Sequence, residues 1–384
     1  MLDGITVLDL SSVGPASRAS RWLADYGATV VKVGPTASRA GVLIDPPFYS
    51  YGAGRGLKRI RLDLKSPGGL DAFLRLAERS DVLIESFRPG VAERIGIGYA
   101  ALSERNPGLV YCSTSGYGQS GPYSQWAGHD INYLALGGFL DCSTARADGG
   151  PPIPGATVAD SAGGGMHALV AILAALVRRA GSGEGTHLDV CAADAVLALM
   201  SQHIDEYLST GVLPGPGSNI LTGRFACYDC YRTRDGKWLA VGAIEPHFYA
   251  NLCKALGLEQ YIPYQEDDAR QDEIREAFRA AFAERDRDDW VAELAPANTC
   301  VSPVYSVPEL IADPHYRERG VFCSANDAER GEFELLAPVF AGSRRDLPVY
   351  QVRPKRASDT DEFLRYAGLS AAEIEELRTS GAAE

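Results

Sequence analysis

The sequence predicts an α/β protein: a doubly wound parallel sheet in the first half, followed by a second, smaller region. Three observations carry this. Strand-like and helix-like segments alternate through the first third, a proline- and glycine-rich break follows a long apolar middle, and an alternating hairpin opens what comes after it. "ITVLDL", the turn "SSVGP", the helical "ASRASRWLADYG" and the strand "TVVKV" make one βαβ unit. "LDAFLRLAERS" with "DVLIES", then "AALSERNPG" with "LVYCSTS", repeat it. Right-handed crossovers of this kind give a parallel sheet whose ligands bind beyond the carboxyl ends of its strands.

The middle reads as one long helix, "LDVCAADAVLALMSQHIDEYLSTG", closed by "GVLPGPGSN". A hairpin over residues 226–243 turns at Asp235-Gly236 and leads into helices, and the tail is two short helices. At 384 residues the chain suits two or three domains. Boundaries are placed at 1–190 for the large domain, 191–225 for a linker, 226–315 for the small domain, 316–335 for a second linker and 336–384 for a C-terminal segment.

A formal charge of −13 argues against nucleic acid or an anionic membrane as a partner. The run "ALVAILAALV" (168–177) is too short to span a bilayer and is read as a core helix. The amino end carries no secretory pattern, and the eight cysteines read as reduced thiols of a cytoplasmic protein. Cys227 and Cys230 lie in a strand, without the second ligand pair a zinc site needs, so no metal is expected. The turn after the first strand has no GxGxxG, and Gly34 stands where a ribose-binding acid would follow the second strand. P-loop, HExxH and GxSxG patterns are absent too. Lys58, Arg59, Arg61 and Lys65, with Arg88 and Arg94 further on, form a local basic cluster suited to a polyphosphate or to a charge-protected strand edge.

The segment "GHDINYLALGG" (128–138) sets a histidine at the start of an apolar helix in which Ile131, Leu134 and Leu136 face inward. Asp130 is its candidate N-cap, which would leave His129 either a bystander or a titratable group at the helix mouth.

"ADYGATVVKV", "LDLKSPGG", "DVLIESFRPGVAERIGIGY", "SGYGQSGPY", "AGHDINYLALGG", "VADSAGGG", "GEGTHLDV", "AVGAIEPHFY" and "DTDEFLRYAGL" together resemble the family III CoA-transferases (the CaiB/BaiF superfamily). Within that family, "GHDINYLAL" and "GAIEPHFY" are similar to the α-methylacyl-CoA racemase branch. The resemblance implies a Rossmann-like large domain completed by the C-terminus, a smaller α+β domain, and an interlocked homodimer. It implies an acyl-CoA substrate and no separate cofactor. By motif position, CoA contacts would come from Arg39, Leu62, Asp63, Leu64, Lys65, Ser86, Phe87, Arg88, Arg94, Gly128, Asp130, Ile131, Asn132 and Tyr133. The implied catalytic set is His129, Asp160 and Glu245, the last offered by the partner chain.

Inverting a carbon beside a thioester carbonyl needs a base on one face and an acid on the other, which suits a histidine and an aspartate. The glycine before His129 would admit the thioester, and the N–H groups of "SAGGG" would face the enolate. The rival within the family is CoA transfer with Asp160 as nucleophile, a mechanism that does not need His129. Arg224, Phe225 and Cys227 depart from the small residues and proline expected in racemases, and they bear on the acyl pocket.

Overall fold

The computed structural model describes residues 1–11, 14–37, 54–354 and 357–384. Its first unit comprises Met1–Gly137, Pro154–Leu199 and Pro314–Glu384. The elements run β1 (Thr6–Asp9), α1 (Pro15–Asp25), β2 (Thr29–Gly34), β3 (Lys58–Arg61), α2 (Pro67–Ala77) and β4 (Val82–Glu85). They continue with α3 (Val91–Arg94), α4 (Tyr99–Arg105), β5 (Val110–Ser115), α5 (Asp130–Leu136), a π-helical run Ala159–Met166, α6 (His167–Ser182), β6 (Thr186–Cys191) and α7 (Ala192–Leu199). The six strands pair in parallel in the order β3-β2-β1-β4-β5-β6. β1 and β4 are buried throughout, as central strands covered on both faces must be. Chain order reverses between them, which opens the crevice where such sheets bind ligands.

The second unit is Gly138–Ile153 with Met200–Asp313. It holds α8 (Ser201–Thr210), the hairpin β7 (Tyr228–Arg232) and β8 (Trp238–Gly242), α9 (Pro246–Ala255), α10 (Gln271–Phe282), α11 (Arg287–Leu294), β9 (Val301–Pro303) and α12 (Val307–Ala312). Its three strands are antiparallel, and Tyr231, Tyr249, Phe278 and Phe282 are packed in its own core.

The first unit closes with α13 (Pro314–Glu318), β10 (Phe322–Asp327), β11 (Gly331–Leu336), β12 (Tyr350–Gln351), α14 (Thr360–Tyr366) and α15 (Ala371–Thr379). Phe363, Leu364, Ile374 and Leu377 of the last two helices join the core that holds Leu8 and Phe73. The tail is also pinned by hydrogen bonds from Arg59 N to Asp359 and from Asp63 N to the Ala382 carbonyl, at 2.8 and 2.9 Å. The C-terminus therefore completes the large unit.

Several local expectations change. "LDVC" is not helical: it ends β6, paired residue for residue with β5, and the helix after it breaks at Met200 into α7 and α8. The helix read within 191–225 is present there as α7 and α8, and the segment 316–335 carries β10 and most of β11. The helix opened by His129 buries only Tyr133 and Leu134; Ile131 and Leu136 are 41% and 47% exposed, with nothing among the described residues covering that face. The run at 168–177 continues the π-helical segment, so Ala159–Ser182 is long and apolar enough, by length and composition, to cross a membrane. Its Ala168, Leu169 and Ile172 are packed on the central sheet.

Candidate active site

His129 itself occupies the N-cap position of α5, and its backbone N–H donates to Asn132 Oδ1 at 3.0 Å. Asp130 is not the cap. Its carboxylate accepts the backbone N–H of Asp160 at 2.8 Å, tying the mouth of α5 to the start of the π-helical run. Tyr133, one turn on, donates its hydroxyl to the Gly128 carbonyl at 2.6 Å. The space beside Gly128 is occupied. A Cβ there would stand 2.7 Å from both the Tyr117 hydroxyl and Tyr133 Cε1, so only glycine leaves room for these two tyrosine rings. Burial, with Asp160 adding to it, pushes the Tyr133 phenol up to about 12.

Asp160 is half-buried. Burial raises its carboxyl above the usual aspartate range and the Asp130 carboxylate adds to this, while Arg18 and His129 pull it back. His129 and Asp160 thus belong to one electrostatic neighbourhood. Arg18, on α1, was not singled out from sequence; it donates to Thr157 Oγ1 at 2.5 Å, and its Nε is buried without a hydrogen-bond partner among the described residues. The glycines after Asp160 serve packing. A Cβ on Gly164 would lie 2.5 Å from Pro15 Cβ, and one on Gly165 would lie 2.9 Å from the Trp22 ring, so only glycine lets this run lie on α1.

The CoA-contact candidates sit where the fold directs ligands. Leu62, Asp63, Leu64 and Lys65 follow β3; Ser86, Phe87 and Arg88 follow β4, with Arg94 ending α3; Gly128, Asp130, Ile131, Asn132 and Tyr133 surround the start of α5, beyond β5. At roughly 4.8 Å per strand, the ends of β3 and β4 are about 14 Å apart across the sheet, a span for a long ligand. Leu62 is buried in the core and its backbone N–H donates to the Gly34 carbonyl at 3.0 Å, whereas Lys65, Arg88 and Arg94 are exposed. Part of the basic cluster is already neutralised: Lys58 pairs with Asp359 and Glu362, and Arg61 with Glu384. Arg39 lies outside the described residues.

Glu245 belongs to the second unit, where it is the exposed residue before Pro246 and α9. Its carboxylate has no hydrogen-bond or ion-pair partner among the described residues. It lies within electrostatic reach of Cys300, whose thiol burial first and Glu245 second push up. Cys300 lines an open cavity of about 660 Å³ in this unit, with Phe139, Met200, Leu221 and Val241 among its walls. The departures at 224–227 do not reach that cavity: Phe225 and Cys227 are in the unit's core, and Arg224 is held by Asp268 at 2.6 Å. Among the described residues, no three His, Cys, Asp or Glu side chains are grouped to hold a metal ion.

A sheet of this order opens a ligand crevice at its switch point, and a histidine together with an aspartate whose carboxyl is raised are groups able to move a proton. Comparison with known proteins narrows the class. The chain matches the profile described as "CoA-transferase family III" over residues 2–360, and it belongs to that family. It is 36% identical to the alpha-methylacyl-CoA racemase of Homo sapiens over 98% of this chain and 96% of that protein. It is 31% identical to the succinate–glutarate CoA-transferase of Agrobacterium fabrum, over 83% of this chain and 84% of the relative. A crystal structure of a CaiB/BaiF family protein from Brucella suis superposes with a TM-score of 0.75 at 28% identity, covering 95% of this chain and 99% of that one.

Proposed function

We propose that this protein racemises 2-methylacyl-CoA thioesters by moving a proton at Cα, with no cofactor beyond the CoA carried by the substrate. The observation that carries the reading is the joint placement of His129 and a raised Asp160, tied together through Asp130. Burial and the Asp130 carboxylate shift Asp160 toward its protonated form, the direction that suits a group returning a proton. From one enantiomer the His129 imidazole takes the Cα proton, the electron pair moves onto the thioester oxygen as an enolate, and Asp160 returns a proton to the opposite face. The other enantiomer runs the same steps reversed. The likeness to alpha-methylacyl-CoA racemase supports the assignment.

Incubating one enantiomer of a 2-methylacyl-CoA in D2O, with and without a free carboxylic acid, tests this. Deuterium entry at Cα and loss of chirality without the acid are expected. CoA passing to the acid, with no exchange at Cα, would instead make the protein a CoA-transferase.

We further infer a cytoplasmic homodimer. Val170 and Val177 of α6 are 63% and 76% exposed, and Leu197 and Leu199 of α7 are 45% and 47% exposed, an apolar set that a second copy would cover. Glu245, without a partner among the described residues, is the group that copy would offer to His129. All eight cysteines are free, which suits a reducing compartment. Sedimentation equilibrium at micromolar protein should give twice the chain mass of 41.1 kDa; a monomer would end the dimer reading.

A further inference from the structure

Glu85 is the last residue of β4 and only 3% exposed, an acid set beneath the crevice and used by no step above. Its Oε2 accepts the backbone N–H of Phe87 at 2.7 Å. Across the sheet Glu85 stands opposite Ser113 of β5, and Ser113 stands opposite Asp189 of β6. The Ser113 hydroxyl lies close enough to Glu85 to stabilise its charged form and is 3.0 Å from His187 Nε2 on β6. Asp189 accepts the backbone N–H of Gln119 at 3.0 Å, and Ser115 that of Gly118 at 2.8 Å. This polar row therefore grips the backbone of two loops, 86–88 after β4 and 116–119 after β5. The first carries CoA-contact candidates; the second carries Tyr117, which packs against Gly128 beside His129.

We propose that Glu85 is a positioning residue for CoA binding: with Ser113 and Asp189 it holds the two loops in the shape that receives the nucleotide. The inference rests on the acyl-CoA reading. Backbone N–H groups bonded to an ionised carboxylate are held about twice as firmly as by a neutral acceptor, so the loops tighten when Glu85 is charged. Burial sets the pH at which this happens. It pushes Glu85 up to about 6, with Glu93 of α3 and Asp189 of β6 adding repulsion and Ser113 and the Phe87 N–H opposing. β5 otherwise faces it with Tyr111 and Cys112, both of which burial keeps neutral. The exposed His187 of β6 faces the same row through its contact with Ser113 at 3.0 Å.

The test measures acyl-CoA KM and kcat against pH, together with amide hydrogen exchange of the two loops without ligand. In Glu85→Ala, KM is expected to rise about tenfold with kcat within threefold, and exchange at 86–88 and 116–119 to quicken. Glu85→Gln keeps one acceptor and should recover most of the loss at pH 7.5. The wild-type KM should climb several-fold below pH 6 relative to that of Glu85→Gln; the substrate phosphate titrates equally in both. If Glu85→Ala does not fold, Ser113→Ala should shift KM and exchange the same way by a smaller factor. Unchanged KM in a folded variant, or a wild-type to Gln ratio flat with pH, overturns the proposal. Faster loop exchange in a protein whose wild type binds no acyl-CoA overturns the CoA reading instead.

Discussion

Alanine at position 129 is expected to lower racemisation about a thousandfold, and asparagine at 160 to do the same, within the range general acid–base groups supply. The two variants should fail differently. Without His129, the enantiomer whose Cα–H faces Asp160 can still lose and regain its proton there. It should take up deuterium in D2O while keeping its configuration, and the opposite enantiomer should be inert. Asp160→Asn should mirror this, with exchange confined to the enantiomer that faces His129. Chiral chromatography with mass detection reads both. Equal loss of exchange from both enantiomers in each variant would show one group acting alone and sink the two-sided mechanism. The pH dependence has a defined sign. Because burial and Asp130 raise the Asp160 carboxyl, its proton is lost only above the usual aspartate range. The direction using Asp160 as acid weakens as pH rises through that value, and the direction using it as base weakens as pH falls through it. The same shift means that folding favours the protonated carboxyl, so its stability contribution is present at low pH and lost as pH rises. Asp160→Asn should therefore keep or gain thermal stability at pH 8, separating chemical loss from unfolding.

The large unit was legible because alternation of strand and helix is a local signal: each βαβ segment was visible, and the second unit's hairpin was betrayed by Asp235-Gly236. What local signals cannot carry is which strands become neighbours. "LDVC" looks helical beside "AADAVLAL", yet pairing with Val110–Ser115 makes it a strand. Glu85 closes the apolar run of β4, and its burial follows only from lying opposite Ser113 within the sheet. Ile131 and Leu136 read as core because apolar periodicity reports that a face will be covered, not by what. His129 and Asp160 came from motif resemblance; the bond from Asp160 N–H to the Asp130 carboxylate that ties their segments together had no signal in the sequence. Arg18 was out of reach because an arginine on an amphipathic helix is indistinguishable from a solvated one until the π-helical run packs against it.

Alanine at Gly116 is expected to disable the site from outside the reacting groups. A Cβ there would lie 2.4 Å from Tyr133 Cε1, 2.6 Å from its hydroxyl and 2.7 Å from Cζ, with the same ring bounded on its other side by Gly128. The ring cannot swing away without surrendering its hydrogen bond to the Gly128 carbonyl, and Tyr133 lies in the first turn of the helix that His129 caps. Overpacking of this kind costs about 1–3 kcal/mol, and the strain is relieved by displacing α5. Activity should fall on the order of a hundredfold, as for a catalytic group moved by an ångström, with a lower melting temperature. Tyr133→Leu removes the colliding atoms. If the clash is the cause, the double variant should be more stable than Gly116→Ala alone, a coupling of about 1 kcal/mol or more in a double-mutant cycle. Additive losses would mean that Gly116 is needed for its own backbone conformation, and that Tyr133 does not transmit packing to His129.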